Sequence, residues 1–339
     1  MMEPIFEQCM ESAHSEYAIC RIPGLIRTAK GTLIAYYECR RESRSDWAEI
    51  DLKWIRSCDR GTSWEPMGLL RGEGNTLNNP VMISHGERIH FLFCKNYKDI
   101  YHAVSEDDGR HFSEPRRLEG IAEGVQRFYN VVAVGPGHGI VHGNRLLVPV
   151  WFAYNEQDPH AHHPSFVSTL YSEDGGEHWQ VGEILPTVEA IPDPNESALA
   201  VTADGQILMS IRNESTARMR ALAFSSTGKD GWSQPKLWEQ LPDPVCQGSM
   251  FHHDGRIYHI NCTSQTHRTH LTVKISDDAF RSFREYPVSE RGGYSDLAVA
   301  EDELYILFER DAQKGSGGLF FQRIPLSHAF PQTPQEVTQ

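Results

Sequence analysis

Short apolar segments separated by turn-forming residues follow one another along most of the chain. Typical examples, each rich in Leu, Ile, Val, Phe, Tyr or Met, are residues 31–37, 88–93, 144–152, 206–211 and 303–309. Gly, Asn, Asp and Pro occupy the intervals, as they do between strands. The sequence contains no long segment with a 3.6-residue apolar period and capping residues at both ends. The pattern therefore predicts an all-β fold with little helix.

A local motif recurs at regular distances within this β pattern. Its form is Ser-x-Asp-x-Gly-x-x-aromatic at residues 57–64, 105–112 and 172–179, and degraded copies occupy 225–232 and 276–283. Successive copies start 48, 67, 53 and 51 residues apart. A period of about 50 residues in an all-β chain is typical of propeller blades, each a four-stranded sheet. A chain of 339 residues then holds six or seven blades.

The chemistry of the motif favours a turn over a catalytic role. Asp hydrogen-bonds nearby backbone N–H groups, and Gly adopts the positive φ that such a turn needs. We expect the aromatic residue to pack between neighbouring sheets. A calcium loop is the alternative, but each copy offers too few carboxylates for it. No linker interrupts the pattern, so we expect one domain over residues 1–339.

Composition narrows the range of partners. The chain has 32 Lys and Arg against 46 Asp and Glu, a formal net charge of −14. This balance argues against nucleic acid and against an anionic membrane surface, because both are bound through clustered cations. No run approaches the roughly 18 apolar residues of a membrane span. A locally positive pocket remains compatible with the net charge.

The cysteines and the first residues bear on the compartment. The seven Cys are scattered and odd in number, which favours free thiols in a reducing environment over a disulfide framework. Residues 1–17 are acidic where a signal peptide is basic, and they lack its apolar region. We therefore expect a cytoplasmic protein, although a chain from which a leader had been removed would look the same and would be secreted.

Three features of the chain point to one family. They are the Ser-x-Asp-x-Gly-x-x-aromatic motifs, called Asp boxes from here on, the segment YAICRIPGLIRTAKGTLIAYYECR (17–40) and the GPGHGI turn (135–140). In these features the chain resembles the exo-α-sialidases. These are retaining, Asp-box glycoside hydrolases that remove terminal sialic acid from glycans. The resemblance extends from about Arg21 to Glu309 and includes an Arg-Ile-Pro opening, an Asn-Glu-Ser turn, an Arg-x-x-Leu-Thr-Val strand and a Gly-Tyr-Ser turn in family order. It implies a six-bladed β-propeller with the active site at the centre of one face.

Sialic acid carries a carboxylate on its anomeric carbon, and the planar fork of Arg matches the two oxygens of such a group. The resemblance assigns this contact to Arg21, Arg212 and Arg268, which come from distant parts of the chain. Three clustered cations need a counter-charge. The resemblance places Glu309 there, orienting the first arginine, although from the residues alone Glu309 reads equally well as an exposed strand end.

The resemblance places the nucleophile at Tyr294, in GGYSDLAV. Most retaining glycosidases use Asp or Glu, and sialidases with Tyr are an exception. A neutral phenol avoids the repulsion that a carboxylate would meet at a carbon bearing a negative group. A phenol of ordinary pKa about 10 needs a base. Glu196, in DPNESALAV, matches the family glutamate that pairs with the nucleophile.

The general acid must protonate the departing glycosidic oxygen, and Asp46 matches the family acid/base aspartate. Glu49 and Asp51 are the rival carboxylates. Asp51 starts the following apolar strand, so a structural role suits it better. Asp46 lies in a polar, turn-like run, which agrees with the loop position of the family residue.

Further positions near the acid also have counterparts or possible roles at the site. Glu38 and Arg40 match an acidic and a basic position that contact the sugar near C4 in the family. Trp47 either covers the sugar or packs. The HAHHP segment, with His160 and His162, suggests a metal site, but no further ligand stands at suitable spacing, so we expect a loop at the pocket rim.

The resemblance predicts a hydrolase of sialylated glycans or oligosaccharides that needs no metal or cofactor, and it gives His138 no catalytic role. A trans-sialidase or an intramolecular trans-sialidase would keep the same residues. A non-catalytic, glycan-binding propeller would have lost the acid, the base or the nucleophile, and none is altered. The sequence leaves the oligomeric state open.

Overall fold

The computed structural model describes residues 5–12, 16–125, 128–310 and 317–331. Nearly all the regular structure in these residues is β, and the two helices found there, α1 (Ile121–Gly124) and α2 (Leu326–Ala329), are single turns. The all-β prediction is confirmed. No helix among the described residues has both the length and the apolar character needed to cross a membrane. The extent of the catalytic domain over residues 1–339 stays a prediction.

Six antiparallel sheets are arranged as the blades of a propeller, which confirms the six blades that the resemblance implies. The first strand, β1 (Phe6–Ser12), belongs to the last blade. Blade one contains β2 (Ile19–Arg27), β3 (Leu33–Arg40), β4 (Ile50–Ser57) and β5 (Glu65–Leu70). Blade two contains β6 (Leu77–His85), β7 (Arg88–Lys95), β8 (Asp99–Ser105) and β9 (Arg116–Arg117).

The inner edge of blade three is interrupted. Both β10 (Val131–Val134) and β12 (Ile140–His142) pair with β13, while the intervening β11 (Gly137–His138) pairs in parallel with β6 of blade two. Outward from this edge, the second, third and fourth strands of the blade are β13 (Arg145–Ala153), β14 (Ser165–Ser172) and β15 (Gln180–Val181). The GPGHGI turn therefore connects two neighbouring blades.

The remaining blades are regular, and the last one closes the ring. Blade four contains β16 (Ser197–Val201), β17 (Ile207–Ile211), β18 (Met219–Ser225) and β19 (Lys236–Pro242). Blade five contains β20 (Ser249–His253), β21 (Arg256–Cys262), β22 (Thr269–Ser276) and β23 (Arg284–Arg291). Blade six contains β24 (Ser295–Ala300), β25 (Glu303–Arg310) and β26 (Gly318–Pro325). Its outermost strand is β1, so segments from both ends of the described chain complete one sheet.

The burial of each strand explains its sequence pattern. Every residue of β3 is buried, because both faces of this strand pack against neighbouring sheets, and residues 33–37 form a continuous apolar run. The outer strand β5 is mostly exposed or half-buried. Inner and middle strands are therefore mostly apolar, with isolated charged residues such as Glu38 and Arg40 in β3, whereas the outer strands are more exposed and more polar.

The Asp boxes form the turns between the third and fourth strands of blades one to five. In the second box the Ser105 Oγ donates to Asp107 Oδ1 at 2.9 Å and accepts the Gly109 N–H at 2.9 Å. Asp107 Oδ1 then accepts the backbone N–H of His111 at 2.9 Å. The degraded copy at 276–283 keeps the same bonds, with Phe280 N–H donating to the Ser276 Oγ at 2.9 Å. The prediction that the boxes build turns is confirmed.

The aromatic residue of each complete box reaches the preceding blade. Trp64 packs edge-on against Phe321 of blade six with ring centroids 5.1 Å apart. Phe112 packs in the same way against Trp54 of blade one at 5.3 Å. These contacts bury apolar surface between sheets, as expected from the sequence.

Strand direction determines which residues meet around the centre. The innermost strand of each blade starts at one face, and the antiparallel second strand ends at that same face. Residues that precede an inner strand or follow a second strand therefore gather there. Deeper on the axis, the buried Asp296 accepts hydrogen bonds from Leu25 N–H at 2.8 Å and Ser249 Oγ–H at 2.5 Å, and lies 2.8 Å from His138 Nδ1.

Candidate active site

Six of the residues that the resemblance selected lie together at this face. They come from four blades and are Arg21, Glu196, Arg212, Arg268, Tyr294 and Glu309. Glu196 immediately precedes β16, Tyr294 precedes β24, and Arg212 follows β17. Side chains separated by up to 288 residues are thereby brought into contact.

The Tyr294 hydroxyl is the centre of this group. It donates to Glu196, whose Oε1 and Oε2 lie 2.7 and 2.8 Å from the phenol oxygen. Arg212 Nη1 donates to the same phenol oxygen at 3.0 Å and also pairs with Glu196. The Tyr294 and Glu196 residues are each 7% exposed. A phenol, a carboxylate and a guanidinium therefore share one largely dehydrated contact.

The charges around Tyr294 act on its pKa in opposite directions. Burial raises the pKa of Tyr294, and the neighbouring Glu196 raises it further, whereas Arg212, Arg268 and Arg21 lower it. The first two effects dominate, so the pKa of the phenol lies above its usual value. The raised pKa favours a neutral phenol, which donates its hydrogen bond to Glu196.

A backbone irregularity orients Arg21. The pairing of β2 with β3 shifts register between Arg21 and Gly24, and Ile22 has a φ of 58°. A β-branched residue rarely adopts this conformation, which concentrates at functional sites. The bulge directs Ile22 N–H to Glu309 Oε1 at 3.0 Å. The same carboxylate receives Arg21 Nε at 3.1 Å and Nη2 at 3.2 Å.

Arg21 and Arg268 flank the tyrosine ring. Their guanidinium carbons lie 5.2 and 5.3 Å from the ring centroid of Tyr294, within the range of cation–π contacts. Sequence reasoning missed Cys246, which packs with Ile22 and Tyr294 in a small buried cluster. A thiolate at Cys246 would raise the pKa of Arg268 by its charge. No motif in the sequence marked this cysteine.

Glu38, Arg40 and Asp46 form a second group. Arg40 Nη2 donates to Glu38 Oε2 at 2.9 Å, and Arg40 Nη1 lies 2.7 Å from Asp46 Oδ1. Asn79, at a register shift in β6 with a φ of 53°, donates its N–H to Glu38 Oε1 at 2.8 Å. Burial raises the pKa of Glu38, and Arg40 opposes this effect only in part.

Asp46 is the exposed member of that group. Its side chain is 48% exposed, whereas those of Arg40 and Glu38 are each 1% exposed. Burial raises the pKa of Asp46, but the combined effects of Arg40, by charge and by hydrogen bond, and of the Arg21 and His162 charges lower it more, so that the pKa lies below its usual value. Asp46 is therefore an ionised carboxylate that solvent or a ligand can reach.

An aromatic wall of four residues lies beside Asp46. Trp47 contacts Tyr97 and His160 with centroid separations of 4.8 and 4.3 Å, and His162 contacts Tyr97 at 4.9 Å. The charges of Asp46 and Glu196 both act on His162. The wall (Trp47, Tyr97, His160, His162) therefore lies between the two groups. Sequence reasoning did not find Tyr97, because its position depends on how blades two and three pack.

Trp47 and the HAHHP segment are in contact with each other. Trp47 packs within the aromatic wall, and the histidine segment forms the loop after β13 that covers it. Among the described residues no group of three or more His, Cys, Asp or Glu side chains is arranged to hold a metal ion.

The rival carboxylates have other partners. Asp51 is fully buried and accepts hydrogen bonds from Tyr17 Oη at 2.8 Å and Gly72 N–H at 2.8 Å. Glu49 lies 3.3 Å from Arg41 Nε. Both help to hold the start of β4.

Comparison with known proteins agrees with this geometry. The family described as BNR repeat-like domain matches residues 65–306. A sialidase of Bacteroides fragilis is 25% identical, with 86% of this chain and 60% of the relative aligned. An exo-alpha-sialidase of Arthroderma benhamiae is 24% identical over 88% of this chain and 79% of the relative. Mouse sialidase-3 is 32% identical over 68% of this chain and 62% of the relative.

Among solved structures, the Hadza microbial sialidase Hz136 superposes with a TM-score of 0.80 at 22% identity, over 92% of this chain and 66% of that one. This likeness concerns the fold. Together the repeats and the six blades define a BNR-repeat propeller. Within that class, the chain belongs to the exo-sialidase family of glycoside hydrolases. It spans 60% of the length of the Bacteroides relative.

Proposed function

We propose that this protein is a hydrolytic exo-α-sialidase, which releases terminal α-linked sialic acid from glycans or oligosaccharides with retention through a covalent tyrosyl intermediate. The observation that carries the proposal is the hydrogen bond from Tyr294 Oη to Glu196, at 2.7 Å, within a cluster of three arginines. A buried phenol held on a carboxylate and surrounded by cations matches a reaction at a carbon that bears a carboxylate.

Substrate binding begins with charge. Arg21, Arg212 and Arg268 converge around Tyr294, while Glu309 and Glu196 balance part of their charge. A planar carboxylate on the anomeric carbon offers the geometry that arginine donors recognise. Bound there, the sugar places its C2 next to the phenol oxygen. The overall charge of −14 opposes this anion only weakly, because salt screens charges beyond about 8–10 Å.

Tyr294 is the nucleophile in this proposal. Its raised pKa means that a free phenolate does not accumulate before the substrate binds. The phenol proton therefore passes to Glu196 as the bond between Tyr294 Oη and C2 forms. At the same time the bond between C2 and the leaving oxygen breaks, and Asp46 supplies the proton for that oxygen. A neutral nucleophile avoids repulsion from the sugar carboxylate.

The second half-reaction reverses these roles. Water attacks C2 and gives its proton to Asp46, and the bond between C2 and Tyr294 Oη breaks as Glu196 returns the proton to the phenol. Two displacements at C2 retain its configuration. Asp46 is reachable from solvent, as both steps require. Arg40 favours its ionised form, which suits the base step, so the acid step draws on the protonated fraction that is present at acidic pH.

A fluorogenic assay tests the activity, and a trapping experiment tests the intermediate. We expect the protein to release methylumbelliferone from its α-sialoside, and Tyr294→Phe and Asp46→Ala to lose at least about 1,000-fold in kcat, because each removes a group that acts in the transition state. Incubation with a 3-fluorosialosyl fluoride should release the C2 fluoride and add one 3-fluorosialosyl mass to the peptide containing Tyr294.

Tyr305→Phe is the matched control. Tyr305 also donates its hydroxyl to a glutamate, Glu303 at 2.5 Å, but it lies at the start of β25, away from the site face. This variant should keep wild-type activity and should still be labelled at Tyr294. Absence of sialoside cleavage by the wild-type protein would refute the function, and a label on any other residue would refute the nucleophile. NMR analysis of the released sugar distinguishes α-sialic acid from an anhydro sugar or a transfer product.

A further inference from the structure

Phe128 is the most exposed of the large apolar side chains in the described residues, at 85%, and Tyr154 beside it is 38% exposed. Their ring centroids lie 6.3 Å apart. Singly exposed apolar residues need no explanation, but two adjacent aromatic rings turned to solvent indicate a contact surface. The Phe128–Tyr154 pair lies outside the proposed catalytic residues, and the mechanism gives it no role.

Strand direction places this pair on the face that holds the candidate site. Tyr154 directly follows β13, and Phe128 lies just before β10. These strands pair with Val131 opposite Ala153, so both rings stand at the same end of blade three. This is the end at which the other second strands finish, including β3 and β17, which lead to Asp46 and Arg212.

Hydrogen bonds connect the pair to the side of the site where Asp46 lies. Asn130 Nδ2 donates to Asn155 O at 2.9 Å, and Asn155 N–H donates to Asn130 Oδ1 at 3.2 Å, which joins the residues next to the two rings. The loop that continues from Asn155 brings His160 onto Trp47, the neighbour of Asp46, with ring centroids 4.3 Å apart. The pair and the proposed acid therefore border one continuous loop.

We propose that the Phe128–Tyr154 pair is a platform for the leaving-group sugar, stacking against the hexopyranose ring to which sialic acid is attached. This inference rests on the proposed function, in which Asp46 protonates the departing oxygen and the leaving group must extend from that side. A hexopyranose has an apolar C–H face and a polar edge of hydroxyl groups. Aromatic rings match the face, and the carboxylate of Glu156, 3.4 Å from Tyr154 Oη, offers an acceptor for the edge.

The size of the surface favours a sugar over a protein partner. A specific protein interface buries about 800 Å² on each partner, and two rings contribute only a small part of that area. One pyranose ring, in contrast, is covered by one or two aromatic side chains. The proposal thus commits to the ring next to the scissile bond as the occupant.

Two substrates that share the sialic acid but differ in the leaving group test the platform. Methyl α-sialoside has an alkyl leaving group without a ring, whereas 3′-sialyllactose presents galactose. We expect Phe128→Ala and Tyr154→Ala each to raise KM for sialyllactose about fivefold, the order of one lost aromatic contact. The kcat/KM for methyl α-sialoside should change less than about twofold. Tyr154→Phe, which retains the ring, should keep most of the sialyllactose affinity.

Leu69→Ala is the matched control, because Leu69 is also an exposed apolar residue, at 37%, but lies on the outer strand β5. It should alter neither substrate. If the alanine variants leave KM for sialyllactose unchanged, or lower activity on both substrates equally, the platform is refuted. If the wild-type protein cleaves neither sialoside, the proposed function fails instead, so the two failures are distinct.

Discussion

Arg40 lies 2.7 Å from the Asp46 carboxylate, although Arg40 is buried and Asp46 is half exposed. This relationship controls the protonation of the proposed acid. Burial raises the pKa of Asp46, but Arg40, with smaller contributions from Arg21 and His162, lowers it more, so the proton needed for the leaving oxygen is present mainly at acidic pH. We expect kcat/KM to decline on the acidic side of neutrality as pH rises, because the free enzyme must carry this proton.

Arg40→Lys should shift that decline to higher pH. Lysine keeps a cation beside the buried Glu38 but loses the fork that also reaches Asp46. With less stabilisation of its charged form, Asp46 would hold its proton to a higher pH. The measurement is the pH profile of kcat/KM with the methylumbelliferyl sialoside.

Arg41→Lys serves as the control for that profile. Arg41 contacts Asp51 and Glu49, which lie outside the proposed mechanism. Its profile should match that of the wild type. An Arg40→Lys profile with an unmoved alkaline limb would show that Arg40 does not determine the pKa of the catalytic acid.

Glu309→Gln should lower the stability of the folded protein and make that stability depend more strongly on a bound ligand. Glu309 is 1% exposed at its side chain and is the carboxylate that holds Arg21. Removing one partner of a buried ion pair leaves an uncompensated charge and costs about 3 kcal/mol of unfolding free energy. A dehydrated sialic acid analogue supplies a replacement carboxylate, so it should raise Tm more in the variant than in the wild type.

Thermal unfolding with and without the analogue measures this difference. Glu301→Gln is a suitable control, because Glu301 pairs with Arg27 but its side chain is 76% exposed. That change should leave both Tm values unaltered. Equal ligand-induced shifts in the wild type and in Glu309→Gln would argue against the role of Glu309 as counter-charge to a carboxylate site.

The local pattern of apolar and polar residues predicted the fold class because most strands are buried on one face or on both faces. The spacing of the Asp boxes left the number of blades open, since the intervals vary with insertions such as the interrupted edge of blade three. The turn itself tolerates change. In the copy at 225–232, Thr227 occupies the Asp position, and Ser225 Oγ accepts the N–H of Gly228, three residues further on, at 2.9 Å, whereas a complete box uses the fourth residue. The serine hydroxyl thus preserves the turn when the carboxylate is lost.

The candidate site was predictable where one residue stands in a distinctive local motif. Tyr294 and Glu196 lie in such motifs, and the fold brings them together across 98 residues. Cys246 and Tyr97 were not predictable, because their proximity to the site arises from packing between blades and has no local signature. The bulge that orients Arg21 could not be predicted from the sequence either, because isoleucine at position 22 does not favour a positive φ.

His138→Gln should reduce stability most at low pH. Burial lowers the pKa of His138, but the Asp296 carboxylate raises it more, so the folded pKa lies above the unfolded value of about 6.5. The ion pair therefore contributes fully below that unfolded value, and its contribution is lost as pH rises through the folded pKa. The difference in unfolding free energy between wild type and variant should shrink as the pH rises above about 6.5.

Urea unfolding at several pH values measures that difference. His142→Gln provides a control close in sequence, because His142 lies in β12 and makes no described hydrogen bond to Asp296. A wild-type minus His138→Gln difference that stays constant with pH would exclude the charged pair.

His90 and His102 should make the propeller labile to acid. Their rings stack in blade two, with Nδ1 of His90 and Nε2 of His102 3.1 Å apart, against the box residue Trp179 of blade three. Among the described residues the other ring nitrogens, His90 Nε2 and His102 Nδ1, are buried without a partner. Burial lowers the pKa of His90 to about 4 and that of His102 to about 3.

Since these folded values lie below the unfolded pKa of about 6.5, the unfolded chain binds protons first as the pH falls. Stability should therefore decrease from about pH 6.5 toward about pH 4, by roughly 1 kcal/mol per pH unit for each histidine. His102→Gln should flatten this slope, because it removes one titrating ring and keeps a polar partner for His90. His111→Gln, at a histidine 86% exposed, should leave the slope unchanged. Unfolding free energies from urea titrations across this range measure both slopes, and equal slopes in wild type and His102→Gln would rule out the buried pair as the source of acid lability.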